Sequence, residues 1–351
     1  MTLHEETDWH YRGWKVTAAC FALAAFAWGC CFYGQTVYLF EFSVRRGWSI
    51  SLVSAATTAF YLCTAYCMTL VSGLVARFGA KCAVLLAVGS LAFGLFLLGQ
   101  VQAPWQLFVV YPFIAFGWAS MGVVMISTVL SKWFDERRGL AIGLAFNGAS
   151  LGGMLIAPGM VALSAAYGFT AATSVVIAAL AVLLVPIVIL WVGSPESVTN
   201  AARKPELSAK RLLSQTRFWD IAAPFAVALV GQVGFLMHQL AVLEPSLGRN
   251  GASLALAAVT GAGIVGRIAV GTTVHRHDPR VYAALAMFCH TASLTTFAFA
   301  TNPIALFVAC IVFGFSLANL VMLPSLVVQR VFESAEFARA IGLVSAVGVV
   351  M

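Results

Sequence analysis

Arg267 is the one charged residue inside the long apolar segment from Asn250 to His275. An arginine at the centre of a membrane helix costs about 2.5–3.5 kcal/mol on insertion-based scales, so it is expected to face a bundle interior or an aqueous cavity. Its planar fork of donors matches a carboxylate. The structural alternative is an arginine tied to backbone carbonyls. Neutral groups that could orient the rest of a bound molecule are Gln35, Tyr38, Tyr61 and Gln232. Gln232, Phe235 and Gln239 share one helical stripe at spacings of three and seven. Asn147 sits among Gly143, Gly148 and Gly152, a small-residue spacing that lets helix backbones approach closely, so it reads either as a ligand or as a packing contact. Asn319 has the same two readings. His238 and His290 are the groups inside apolar segments that titrate near neutrality, and they are candidates for proton linkage or for helix–helix hydrogen bonds.

Other chemistries are not encoded. The chain has no Gly-x-x-x-x-Gly-Lys-Ser/Thr loop to cradle a nucleotide phosphate, so ATP is not expected as a partner. No hydrolase arrangement of serine, histidine and acid is present, and an enzyme is not expected. His275-Arg276-His277 beside Asp278 and Arg280 reads as a polar loop rather than a metal tract. Seven of the eight cysteines lie in apolar segments and Cys82 at the start of one, as expected of small buried apolar groups. No metal and no cofactor is expected.

The elements that position these residues follow from charge. Apolar residues make up 61% of the chain and charged residues 9%, far below the roughly 25% of a soluble domain. No Asp, Glu, Lys or Arg occurs from Val16 to Phe40, Gly47 to Ala76, Cys82 to Ser131, Gly139 to Pro195, Ile221 to Leu243 or Val281 to Gln329. A crossing helix needs about 20 apolar residues. The intervals of 50, 57 and 49 residues therefore hold two helices each, broken at Ala103-Pro104, Tyr167-Gly168 and Asn302-Pro303. This gives an all-α integral membrane protein with ten complete spans, and an eleventh from near Ala340 that reaches the chain end at Met351.

Sixteen Lys and Arg residues then fall on the side of the N-terminus, against Arg45, Arg46 and Arg249 on the other, which predicts a cytoplasmic N-terminus. The net charge of +7 reflects this asymmetry and gives no reason to expect nucleic acid. The longest polar stretch divides the chain into a six-helix bundle at 1–193, a cytoplasmic loop at 194–220 and a second bundle at 221–351, five spans of an expected six.

The halves resemble each other. Arg77 and Lys81 after the second span match Arg276 and Arg280 after the eighth, and Glu41 and Glu244 close the first and seventh spans. Parallel repeats of this kind characterise one large transporter class. The chain resembles the major facilitator superfamily, whose loop signature after the second span is kept at Leu74, Arg77, Gly79 and Lys81. Ala76 and His275 stand where the family carries the acid of its charged latch. The resemblance implies a gating role for Arg77, Lys81, Arg276 and Arg280.

Trp133 to Gly143, Asn147 to Gly153, and Gly266-Arg267 with Gly271 resemble the monocarboxylate-transporter and oxalate–formate-antiporter branch. That resemblance implies that Arg267 binds a substrate carboxylate. Gly263 stands where some members carry an aspartate one turn before the arginine, and Gly34 where the branch often has a lysine, so a monoanion is favoured and proton symport, exchange and uniport all remain open. The expectation is a monomeric, alternating-access carrier of a small organic anion in a bacterial inner membrane, partnered by the lipid bilayer. Its substrate residues would be Arg267, Gln35, Tyr61, Gln232 and Asn147. Efflux of a hydrophobic drug-like compound and a non-transporting sensor are the alternatives. The incomplete second bundle reads as a C-terminally shortened chain.

Overall fold

Long runs of Ala, Leu, Val and Phe without charge satisfy their backbone hydrogen bonds in lipid only as helices. The computed structural model describes residues 6–193 and 209–351, and there every regular element is helical. Positions 194–208 of the expected central loop, with Arg203 and Lys204, lie outside the described residues. In chain order the helices are α1 (Arg12–Arg45), α2 (Ile50–Gln100), α3 (Gln106–Leu130), α4 (Arg138–Tyr167), α5 (Phe169–Trp191), α6 (Ala209–Leu213), α7 (Thr216–Thr273), α8 (Pro279–Phe299), α9 (Pro303–Val331) and α10 (Ser334–Val350).

Among the described residues nine helices are long and apolar enough to cross a membrane. Helix α2, at 51 residues, would be about 77 Å long if straight, more than twice a hydrocarbon core of roughly 30 Å. It breaks at Gly79, where φ is +79°, a conformation that other residues rarely adopt. Helix α7 breaks in the same way at Gly248, with φ +68°. The other breaks fall at the turn residues. Gly168 takes φ +87° between α4 and α5, and the Asn302 carboxamide oxygen caps α9 by accepting from the Ile304 and Ala305 backbone N–H groups.

The described residues cluster into two compact units, one of residues 6–135 and 144–193, the other of 136–143 and 209–349. Within lipid there is no hydrophobic drive between helices, so close backbone approach matters. In the first unit α4 lies against α1 through two glycines one turn apart. A Cβ at Gly148 would stand 2.0 Å from the Phe21 carbonyl oxygen, and one at Gly152 2.1 Å from that of Ala25. In the second unit Gly314 of α9 lies equally close to Val259 of α7, with a Cβ at 2.1 Å from its carbonyl oxygen. Phe235, Phe297 and Phe313 form the ring core there, with Phe235 and Phe297 stacked at 4.0 Å.

Two polar ties close the ends of the first unit. Glu41, buried in a π-helical turn that ends α1, accepts from Arg45 at 3.2 Å and lies 3.9 Å from the Arg46 Nε. Arg45 donates to the Ser164 hydroxyl and carbonyl of α4 at 2.8 and 3.0 Å, and Arg46 to the Val101 carbonyl oxygen. At the other end the Tyr11 hydroxyl donates to the Trp133 carbonyl at 2.6 Å, and the Trp133 indole donates to the Gly193 carbonyl at 3.0 Å.

Glu41→Gln leaves two partly buried arginines without their shared anion. The expected cost is about 1–3 kcal/mol, read as a lower melting temperature of the protein in detergent. An unchanged melting temperature would show that the carboxylate does not hold this end of the bundle.

Candidate functional site

The second unit builds its polar centre on the helix pair α7 and α9. Gly263 and Gly266 bring the two backbones together: a Cβ at Gly263 would sit 3.2 Å from the Gly314 carbonyl oxygen, and one at Gly266 2.8 Å from the Phe315 ring. Arg267 follows directly on the same helix. Its side chain is 4% exposed, and its Nε donates to the Ala318 carbonyl oxygen of α9 at 3.3 Å. Gly143 of the same unit approaches the Arg267 backbone so closely that a Cβ would lie 2.9 Å from its carbonyl oxygen. A glycine is thus required on both sides of this arginine. Gly263, one turn earlier, is a packing position with no room for a carboxylate.

The second unit holds further buried polar groups. Asn319 is fully buried; its Nδ2 donates to the Phe315 carbonyl at 2.8 Å, and its Oδ1 has no partner among the described residues. Gln232 of α7 is 6% exposed, and its Oε1 also has no partner among them.

The two histidines separate clearly. His238 is exposed on the surface of its helix. His290 of α8 is 2% exposed and stacks on Phe313 at 5.1 Å. Its Nδ1 lies 3.3 Å from the Ser316 hydroxyl, which itself donates to the Phe313 carbonyl at 2.8 Å. The hydroxyl proton is therefore committed, so Ser316 accepts and Nδ1 carries the imidazole proton. The Nε2 faces α7, near Gly231 and the Ala228 backbone.

In the first unit Gln35 is 6% exposed, and neither its carboxamide oxygen nor its nitrogen has a partner among the described residues. A buried amide without partners costs free energy unless something else fills its bonds. Tyr61 packs edge-on against Trp118 at 5.7 Å. Asn147 is 9% exposed, between Phe146 and the packing glycine Gly148.

The residues named for gating lie at the surface. Arg77, Lys81, Arg276 and Arg280 are all exposed, at the helix break of Gly79 and at the turn before α8. Asp278 spends its carboxylate on capping α8, accepting from the Arg280 backbone N–H at 2.9 Å.

Several residues that shape these centres carry no signal in one sequence. Ser316 matters only because it meets His290 across two helices. Trp28, Phe32, Phe60 and Trp118 converge from α1, α2 and α3. The aromatic spacing of Trp28 to Phe32, and of Phe60 beside Tyr61, is the sole hint of that cluster in the sequence.

Comparison with known proteins gives two matches of use. A sequence model described as Major Facilitator Superfamily matches residues 12–351. A crystal structure of a single-residue mutant of the nucleoside transporter NupG superposes with a TM-score of 0.63 at 16% identity, over 97% of this chain and 89% of that one. At that identity the likeness is one of fold. A search of curated proteins gives no match.

Proposed function

Because this chain belongs to the major facilitator superfamily, and is therefore an integral, multi-pass membrane protein of a transporter family, we propose that it carries a small organic monoanion, in the manner of the monocarboxylate branch. The observation that carries this reading is Arg267, a guanidinium 4% exposed within an apolar helix. A cation kept at that cost is expected to have a function. In this reading Arg267 takes the carboxylate, and Gln35, Tyr61, Gln232 and Asn147 orient the remainder. Arg77, Lys81, Arg276 and Arg280 serve alternating access from the cytoplasmic side, where the N-terminus also lies. The membrane is a bacterial inner membrane, the chain acts as a monomer, and its two bundles take in residues 1–193 and 221–351.

The test is uptake by proteoliposomes of labelled pyruvate, lactate, acetate, formate and a branched 2-oxo acid. Saturable uptake of at least one acid is expected. Transport of a neutral nucleoside in place of every acid would replace this reading with one closer to the structural neighbour, and uptake of neither would favour the efflux or sensor alternatives.

His290 is the better of the two candidates for proton linkage. Its Nδ1 lies 3.3 Å from the Ser316 hydroxyl, its ring reaches across to α7, and its burial isolates it from solvent, whereas His238 is exposed. His290→Gln is expected to flatten the dependence of uptake on pH. A profile as steep as that of the unaltered protein would remove His290 from coupling.

A further inference from the structure

Two thiols lie side by side in the first crossing of α2. Cys63 and Cys67 are one helical turn apart, so they project from one face of the helix, one above the other. The Cys67 thiol lies against that of Cys63. The pair stands where the buried face of α2 meets the exposed one. Phe60, Thr64 and Val71 are buried on one side, and Leu62, Tyr66 and Leu70 are exposed on the other. Cys63 is half-buried and Cys67 is 8% exposed, so the pair is reached from the exposed flank, through Cys63.

The remaining cysteines offer no comparable pair. Cys20, Cys30, Cys31 and Cys310 are fully buried, and the Cys31 thiol is turned to the Ile114 carbonyl oxygen at 3.9 Å. Cys82 lies in the later crossing of α2, beyond Gly79, and Cys289 is the one cysteine of α8.

Geometry limits what Cys63 and Cys67 can do together. Residues one turn apart on a helix hold their Cβ atoms about 5–6 Å from each other, whereas a disulfide needs about 3.5–4.5 Å. A direct S–S bond would therefore require the helix to unwind. A single atom inserted between the sulfurs spans the gap with the backbone in place. Two ligands are too few for a tetrahedral zinc site, and no group of three or more metal-binding side chains occurs among the described residues. The bridging atom must be soft and satisfied by two sulfurs. Trivalent arsenic bearing one organic group meets both conditions. Two of its valences take sulfur, the third is filled by carbon, and it carries no charge to oppose entry from an apolar flank.

We infer that Cys63 and Cys67 form a binding site for trivalent organoarsenicals, closed as a cyclic dithioarsenite across one turn of α2. With phenylarsine oxide, two As–S bonds form, while the two S–H bonds and the arsenic–oxygen double bond break. Both thiol protons leave with the oxygen as one water. Arsenic stays trivalent and no sulfur is oxidised. The site lies wholly within the first unit, and it is independent of which substrate the chain carries.

The test treats the purified full chain with phenylarsine oxide and reads its intact mass. One phenylarsenic adduct per chain is expected, retained against excess 2-mercaptoethanol, which strips adducts from single thiols, and removed by 2,3-dimercaptopropanol. N-ethylmaleimide added after denaturation should then miss two of the eight thiols. Fragment masses should place both in the part of α2 before Gly79, a result that needs no variant. Cys63→Ser and Cys67→Ser should each lose the retained adduct, and Cys289→Ser should keep it. Absence of a retained adduct on the unaltered protein, protection of thiols elsewhere, or a retained adduct in either α2 variant overturns the inference.

Discussion

Arg267→Gln should abolish saturable acid uptake while leaving a folded protein. Glutamine preserves much of the length and a donor to the Ala318 carbonyl, but removes the charge. A charge-assisted hydrogen bond contributes about 1.5–3 kcal/mol, and each 1.4 kcal/mol is a factor of about ten. A bidentate contact therefore predicts a loss of roughly 100-fold or more in transport efficiency. Arg267→Lys should recover a minor part of it, since an ammonium keeps the charge without the planar fork. The measurement is initial uptake rate against acid concentration for the three proteins, beside their melting temperatures. Equal uptake by the glutamine variant would make Arg267 a structural residue that ties α7 to the Ala318 carbonyl of α9.

The second large effect is expected at Gly148. A methyl group there would stand 2.0 Å from the Phe21 carbonyl oxygen and 2.8 Å from its carbon, and neither backbone atom can swing aside as a side chain can. Helices α1 and α4 would have to separate along the stripe that Gly152 shares. Overpacking costs typically about 1–3 kcal/mol where side chains can adjust, and more where they cannot. Gly148→Val should therefore yield little or no monodisperse protein. Gly159, on the same helix with nothing within 4 Å of its Cβ position, is the control, and Gly159→Ala should behave as the unaltered chain. Size-exclusion profiles of the two variants decide the matter; a monodisperse Gly148→Val would mean that the backbones are not in contact.

Most of the helical plan could be read from one sequence because its determinants are local. Lipid excludes charge from the spans, and a turn between two of them needs Gly, Pro or Asn, as at Gly168 and Asn302-Pro303. Gly79 was legible for the same reason, since the signature glycine in a positive-φ turn also separates two crossings. The candidate site was legible only where a residue type was costly in itself: Arg267, Gln35, Gln232 and His290 are all buried. What sequence spacing could not supply is which partner each one meets. His238 and His290 look alike in the sequence and differ in burial, and Ser316 gains meaning only from packing between α8 and α9. The aromatic cluster was out of reach for a further reason. The π-helical turn at Trp28–Phe32 departs from the 3.6-residue period on which a stripe is read, and Trp118 is brought to it by a separate helix.

Direct competition in proteoliposomes tests the central claim most directly. Uptake of labelled pyruvate by the full chain would be measured with unlabelled acids, or uridine, in excess. An organic-anion carrier predicts saturable uptake that unlabelled acids suppress and uridine does not. Suppression by uridine alone, or no uptake above that of protein-free vesicles, would contradict it.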